Sequence, residues 1–320
     1  MKRSYSVDLV LEHYPNLKFD EVVSRLRSTY VSIPRRYMYC AVSKAGNTTM
    51  KEILHSVEHF PPIKSVGHSP MFSRRDMFLH WRENVPLPSL ADLDNKTQKQ
   101  VLESPDFLRI TVVRNPYTRL ASAWRNRVLV CEPPHVPFYR QVKGQLPELG
   151  KKSLILFEEF VDHIANKCDL STCNQHWRRQ ADQLFIKALR YDHIGKVERM
   201  EETVKRFQEH LGISKPLALG RKNSTFAGTV RFTQALADQI YSLYKEDFVA
   251  FGYDRNDWPH DGNHARSDGT VPEELFIDEI IERNIIIYQL YQERNRLMEK
   301  TPSVLRGLFN KFQRTLLGQS

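Results

Sequence analysis

Two short stretches hold residues able to bind and move a charged group. The first, Ser43-Lys44-Ala45-Gly46-Asn47-Thr48-Thr49, follows an apolar run at residues 39–42 and opens a helical pattern. A strand–loop–helix unit of this kind aims backbone N–H groups and the positive end of the helix dipole at one point, which makes an anion site. Gly46 permits close backbone approach, and Thr48 and Thr49 add hydroxyl donors. Lys44 brings a mobile positive charge suited to a leaving-group oxygen as negative charge develops on it. The loop that binds nucleoside triphosphates, GxxxxGK[ST], has the same layout but needs a second glycine and a lysine beside the Ser/Thr. Here Lys44 comes early and Gly46 stands alone. The bland alternative is an ordinary turn with a surface lysine.

The second stretch is VVRNPYTRLASAWRNR, residues 112–127. Arg114 ends an apolar run, Pro116 sits at a helix start, and Arg119, Ser122 and Arg125 follow on or near that helix. Arg114 can offer a planar fork to a second phosphate, with the Ser122 hydroxyl completing the pocket. Taken alone, the same residues also describe a basic amphipathic helix paired with surface acids.

Both stretches need a scaffold that brings them to one edge. Residues 37–43 (YMYCAVS) and 107–114 (FLRITVVR) are short β-rich runs, each ending in a polar loop that feeds a helical pattern, at 48–57 and 117–128. A third candidate strand end lies at SVGHSP, residues 65–70. This alternation predicts an α/β fold with a parallel sheet, and such sheets hold ligands at the C-terminal ends of their strands. Residues 1–36 read as an N-terminal extension, with Asp20 capping a short helix. Residues 37–254 form the main domain, 255–272 a polar linker containing Gly and Pro, and 273–320 a helical tail.

Composition sets wider limits. The 320 residues are 41% hydrophobic and 27% charged, as in an ordinary globular protein. The net charge of +9 favours an anionic partner without naming one. No aromatic-plus-basic repeat marks a nucleic-acid surface. Cys40, Cys131, Cys168 and Cys173 are too few for a disulfide scaffold, and their spacing is not that of a metal site. The first residues, interrupted by Asp8 and Glu12, contain neither a signal peptide nor a membrane anchor, so a cytoplasmic protein with reduced thiols is expected.

Together the two stretches, VSKAGNTTMK and VVRNPYTRLASAWR, resemble the sulfotransferase family, in particular its carbohydrate branch with the chondroitin and dermatan sulfotransferases. The resemblance continues through NQHWRRQADQLF (174–185), where Arg179 replaces the branch's usual proline, and YDHIGKVERMEE (191–202), and ends in LYKEDFVAFGYD (243–254). It covers roughly residues 36–254, with the segments in the family's order. It implies a P-loop-kinase-like three-layer fold, a central parallel sheet flanked by helices, with the C-terminal helical extension lying outside it. It also implies the donor 3′-phosphoadenosine 5′-phosphosulfate (PAPS), its product PAP, and no metal. By resemblance, Ser43, Lys44, Ala45, Gly46, Asn47, Thr48 and Thr49 hold the 5′-phosphosulfate, and Arg114 and Ser122 the 3′-phosphate. Arg221 and Lys222, in GRKNSTF, sit where the family closes a loop over the nucleotide.

Sulfuryl transfer to a hydroxyl also needs a general base. His68, in SVGHSP, is the first choice because it follows a presumed strand and belongs at the same sheet edge as Lys44; a structural loop histidine is the alternative. His176 is a second base or donor and Trp177 a flat face for a sugar ring, though a His-Trp pair on a helix also fits buried packing. Glu198 reads as a structural ion-pair partner. A kinase using ATP, or a non-catalytic binder of acidic glycans, are the competing functions. In the tail, Phe276, Ile280, Ile287, Leu290 and Leu297 lie on one face and Ile277, Ile281, Tyr288 and Tyr291 on the adjoining one. At least one face must be buried, in the chain's own core or in a homodimer with Ile280, Ile287, Leu290 and Tyr291 as its seam. The stripe Leu305, Leu308, Phe309, Phe312, Leu316 and Leu317, with basic Arg306, Lys311 and Arg314, fits peripheral contact with a membrane surface through residues 303–320.

Overall fold

A computed structural model describes residues 4–61, 84–129, 131–144, 155–215, 217, 230, 232–259 and 272–300. Strands β1 (Thr29–Ser32), β2 (Tyr37–Cys40), β3 (Leu108–Val113) and β4 (His193–Lys196) form one sheet in the order β1-β2-β3-β4. β2 pairs parallel with β3, setting Tyr37 against Leu108 and Cys40 against Thr111, and β3 pairs parallel with β4. Both β2 and β3 are buried at every residue, as parallel strands covered on two faces must be. The expected strand end at residues 65–70 lies outside the described residues.

Side-chain alternation assigns the two faces. Tyr37, Tyr39, Ile110 and Val112 point one way, against Met50, Ile53 and Leu54 of helix α3 (Asn47–Val57) and against Val204 and Phe207. Met38 points the other way, into a cluster with Val7 and Val10 of α1 (Tyr5–His13), Val22 and Leu26 of α2 (Phe19–Leu26), and Val31. The first 36 residues are therefore not an appended extension. β1 closes the sheet as an antiparallel edge, pairing Thr29 with Cys40, and α1 and α2 cover a face that would otherwise be wet. Asp20 does not cap α2; Lys18 occupies the cap position, and Asp20 lies in the first turn, where its charge still favours the dipole.

The remaining helices are α4 (Asn95–Glu103), α5 (Pro116–Ala123), α6 (Val136–Lys143), α7 (Phe157–Lys167), the single turn α8 (Gln180–Gln183), α9 (Met200–Leu211), α10 (Gln234–Phe251) and α11 (Pro272–Lys300). After α5 the chain widens into a π-helical turn, Trp124–Val128. An aromatic core joins Tyr117, Trp124, Phe138, Phe160, Trp177, Tyr244 and Phe248. Ile281 and Ile285 of α11 are buried in that same core, so the tail helix docks on its own chain through the side that carries Ile281 and Tyr288. Ile280, Ile286, Leu290 and Leu297 are exposed. The stripe at residues 305–317 lies outside the described residues. Among the described residues, no helix is long and apolar enough to cross a membrane. All four cysteines are free.

The expected linker begins as ordered chain. Tyr117 donates its hydroxyl proton to the Arg255 carbonyl at 2.6 Å, and the Asn115 amide donates to the Asp257 carbonyl at 2.8 Å. Residues 255–257 are thus pinned to the start of α5.

One ion pair, between buried Arg109 and the partly exposed side chain of Asp192, fixes how β3 meets β4. Arg109 donates from Nε to Asp192 at 2.7 Å and from Nη2 at 3.0 Å, while Nη1 reaches the Leu102 carbonyl at the end of α4 at 2.8 Å. Removing the carboxylate leaves the buried guanidinium without partners for part of its donors, which costs about 1–3 kcal/mol. Asp192→Ala is therefore expected to lose about 1–3 kcal/mol of stability, read as a lower denaturant midpoint. An unchanged midpoint would show that water solvates Arg109 in the variant.

Candidate active site

β2 delivers the chain into a loop at residues 43–46 that turns twice through the left-handed region, at Lys44 (φ 67°) and Gly46 (φ 68°). Gly46 immediately precedes α3 and needs no side chain to do so, since φ there is positive. A Cβ at Gly46 would also lie 2.3 Å from the Met200 methyl. Lys44 has no such exemption, and a lysine held at positive φ is a local cost that the surroundings must impose. Ala45 is fully buried, whereas Ser43, Lys44, Gly46, Asn47, Thr48 and Thr49 are half-buried around the mouth of α3. The Asn47 side-chain oxygen is buried without a hydrogen-bond partner in the described structure.

Arg119, which the sequence places only on the following helix, holds this loop in position. Its guanidinium is buried and donates from Nε to the Ser43 carbonyl at 3.0 Å, from Nη1 to the Arg178 carbonyl at 2.9 Å and from Nη2 to the Gln175 carbonyl at 3.1 Å. One side chain thereby ties the loop after β2 to the segment before α8.

Arg114 is fixed from the same side. The Gln180 side chain accepts from the Arg114 N–H at 2.9 Å and donates to the Arg114 carbonyl at 2.8 Å. Gln180 is held in turn by buried Asp247 of α10, whose carboxylate accepts from the Gln180 and Ala181 N–H groups at 2.9 and 2.8 Å. Burial pushes the Asp247 carboxyl up to about 6, opposed by the charge of Arg119. Glu198 accepts from the Asn115 N–H and from the Tyr253 hydroxyl, both at 3.0 Å. It holds backbone and phenol in place, and its charge is the one that most favours the Arg114 guanidinium.

The Arg114 side chain is tethered to the helix that follows. Its Nε donates to Thr118 Oγ1 at 3.0 Å. Thr118 and Ser122 are one turn apart on α5, so the Ser122 hydroxyl shares the helix face to which Arg114 is tethered. The Ser122 hydroxyl itself lies 3.4 Å from the Asn126 side-chain nitrogen.

Positive charge accumulates around this point. Burial lowers the Lys44 amine to about 7, and Arg127, Arg114 and Arg119 push it further down against the opposing pull of Glu132. Burial also lowers Arg114 and Arg125. Arg127 pairs with Glu132, so part of its charge is already offset. His176 is driven down to about 2 by burial and by Arg127 and Lys44, which places it beside the loop as a neutral ring. Its Nδ1 lies 2.8 Å from the Asn174 side-chain oxygen. Trp177 is only 2% exposed and packs against Phe138 at 5.0 Å and Phe160 at 5.5 Å between ring centroids. It presents no open face to a sugar, because the aromatic core takes both sides of the indole. His68, Arg221 and Lys222 lie outside the described residues. Among the described residues no cluster of His, Cys, Asp and Glu is placed to hold a metal ion.

The fold and site define an α/β protein whose loop after β2 and strand end at Arg114 meet near the C-terminal ends of its parallel strands. The Sulfotransferase family matches residues 28–254, and the chain belongs to that family. The match begins at the residue before β1, in agreement with the structure's assignment of that strand to the domain. The chain is 25% identical over 251 residues to carbohydrate sulfotransferase 9 of Homo sapiens, covering 72% of this chain and 53% of that protein. It is 23% identical over 270 residues to carbohydrate sulfotransferase 10 of Pongo abelii, covering 78% and 71%. To carbohydrate sulfotransferase 11 of Mus musculus it is 28% identical over 171 residues, covering 46% and 47%. The chain therefore spans from about half to seven-tenths of the length of these relatives. No solved structure matches it significantly.

Arg119→Met keeps the length of the side chain but removes the donors to three carbonyls. At about 1 kcal/mol for each lost hydrogen bond, a loss of about 3 kcal/mol is expected, with faster amide hydrogen exchange in residues 43–49. Unchanged exchange in that loop would show that Arg119 does not hold it.

Proposed function

We propose that this protein transfers the sulfuryl group of PAPS to a hydroxyl of a carbohydrate. The observation that carries the reading is the gathering of Arg114, Arg119 and Arg127 near Lys44 in the loop that opens α3, where burial and like charge depress Lys44 in the absence of an anion. Family membership supports the sulfuryl group as the cargo, and the names of the relatives support a carbohydrate acceptor.

In this reading the loop amides and the hydroxyls of Thr48 and Thr49 take the 5′-phosphosulfate, and Lys44 faces the oxygen that leaves with the nucleotide. Arg114 and Ser122 take the 3′-phosphate, with Arg221 and Lys222 closing over the nucleotide. The acceptor oxygen forms a new O–S bond as the bond from sulfur to the 5′-phosphate oxygen breaks, and the acceptor proton passes to a histidine. His68 and His176 are the two candidates carried from the sequence. As in phosphoryl transfer, the protein contributes mainly alignment and charge stabilisation. An ATP-dependent kinase is disfavoured by the loop itself, which lacks the second glycine and the adjacent lysine of the triphosphate-binding pattern.

PAP is expected to raise the melting temperature, while ATP with magnesium leaves it unchanged, by ligand linkage to the native state. The reverse result would favour the kinase. Lys44→Ala should abolish transfer while weakening PAP binding only moderately, because the lysine acts most on the charge that develops during the reaction. Arg114→Ala should instead lose PAP affinity, and normal PAP binding by that variant would remove Arg114 from the site. Because Lys44 titrates at about 7 without ligand and binds an anion only when protonated, PAP affinity should fall as pH rises through about 7. That fall should be absent from Lys44→Ala in calorimetric titrations.

A further inference from the structure

The match to the family stops at residue 254, and the residues just beyond it are bonded to the backbone next to Arg114. Asn115, which is 2% exposed, stands between Arg114 at the end of β3 and the first turn of α5. Both ends of its side-chain amide are used. Oδ1 accepts from the Tyr117 N–H at 2.9 Å and caps the helix, while Nδ2 donates to the Asp257 carbonyl at 2.8 Å and to the Asp257 carboxylate at 3.1 Å. An aspartate caps a helix as well as an asparagine does, but its carboxylate has no hydrogen to give. The amide is therefore needed for Asp257 rather than for the helix.

Asp257 is itself braced. Its N–H donates to the Asp254 carbonyl at 3.2 Å, and the Asn256 N–H donates to the Asp254 carboxylate at 2.8 Å, so the segment is a turn with its own hydrogen bonds. Tyr117 of α5 donates to the Arg255 carbonyl at 2.6 Å. The Arg255 guanidinium pairs with Asp238 of α10 and lies 4.9 Å from the centre of the Tyr241 ring. The turn thus joins α10 to the start of α5. What it fixes there is an angle. Asn115 has non-helical backbone dihedrals (φ −48°, ψ 124°), and rotation at this residue would swing α5, with Ser122, about the strand end that carries Arg114. Gln180 clamps the Arg114 backbone and Glu198 the Asn115 N–H, both on the strand side of this hinge. Asp257 grips the side chain that caps the helix side.

We propose that Asp257 is a positioning residue for the donor nucleotide, acting through Asn115 to set the spacing of Arg114 and Ser122 and so the grip on the 3′-phosphate. This rests on the assignment of those two residues to the 3′-phosphate in the sulfuryl-transfer reading. A phosphate held by groups on two elements is bound only as well as those elements are spaced. Like charge from Arg125 and Arg119 acts on Arg114, so a loosened hinge lets the cations move apart before the nucleotide arrives. Asp257 does this from outside the part of the chain that matches the family, and no substrate atom need touch it. Its side chain is exposed, so replacing it leaves the core intact, and the bond from Asn115 to the Asp257 carbonyl survives the change. The expected effect is accordingly a partial loss of affinity rather than an abolition of binding.

The test is calorimetric titration of the full chain with PAP and with adenosine 5′-phosphate, which lacks the 3′-phosphate. Asp257→Ala should raise the Kd for PAP by roughly three- to tenfold and leave that for adenosine 5′-phosphate unchanged. Asp257→Asn, which keeps an acceptor oxygen, should restore most of the PAP affinity. Asn115→Asp keeps the helix cap but loses the donor and sets two carboxylates together, so it should weaken PAP binding more than Asp257→Ala does. Adding Asp257→Asn to Asn115→Asp returns a donor to the pair and should recover part of that loss. In an Arg114→Ala background, Asp257→Ala should have no further effect on PAP, because the residue it places is gone. An unchanged Kd for PAP in Asp257→Ala overturns the proposal. So does an equal loss for both nucleotides, which a merely structural role would give, or the same loss repeated in the Arg114→Ala background. A wild type that binds PAP no better than adenosine 5′-phosphate, or an Arg114→Ala variant that binds PAP normally, overturns the 3′-phosphate assignment and this inference with it. A wild-type preference for PAP that Asp257→Ala keeps in full overturns the inference alone.

Discussion

The site depends on one buried guanidinium. Arg119 gives its donors to the carbonyls of Ser43, Arg178 and Gln175, three points that belong to different parts of the chain. Carbonyls at the ends of loops are the groups most in need of donors once water is excluded. By supplying all three, Arg119 sets the distance between the donor loop and the segment that carries His176. A lysine could not do this, because a single ammonium lacks the planar spread of a guanidinium.

A second layer works by the same logic. Asp247 on α10 orients the start of α8, Gln180 on α8 holds both backbone groups of Arg114, and Glu198 together with Asn115 fixes the start of α5. No member of this chain of contacts need touch a substrate. Their common effect is to hold Arg114, Lys44 and the α3 terminus in register, so that repulsion among the cations is resisted by the scaffold. Protein-imposed crowding of like charge is a reservoir that an anionic ligand relieves.

How much of this was readable from sequence follows the separation of the partners. The turn from β2 into α3 was legible because strand, glycine and helix start are contiguous and each leaves a local mark. The positions of Arg114 at a strand end and Ser122 on the next helix were legible for the same reason. Arg119, Gln180 and Asp247 act across the fold, between segments far apart in the chain, and a single sequence carries no signal of such pairing. The N-terminal boundary was misplaced because β1 is a four-residue edge strand with every side chain buried, so it shows no alternation. Trp177 read either as a sugar platform or as buried packing, since sequence gives its chemistry without its exposure, and its burial fits the packing. The docking of one side of α11 follows from its two apolar faces, although which face docks required coordinates.

The match to the family ends at residue 254, yet the chain's folding does not. Residues 255–257 are bonded to the start of α5, and α11 packs into the aromatic core. A boundary of homology is here not a boundary of cooperativity: a fragment cut at residue 254 would keep every signature of its family and lose part of the packing on which its aromatic core closes.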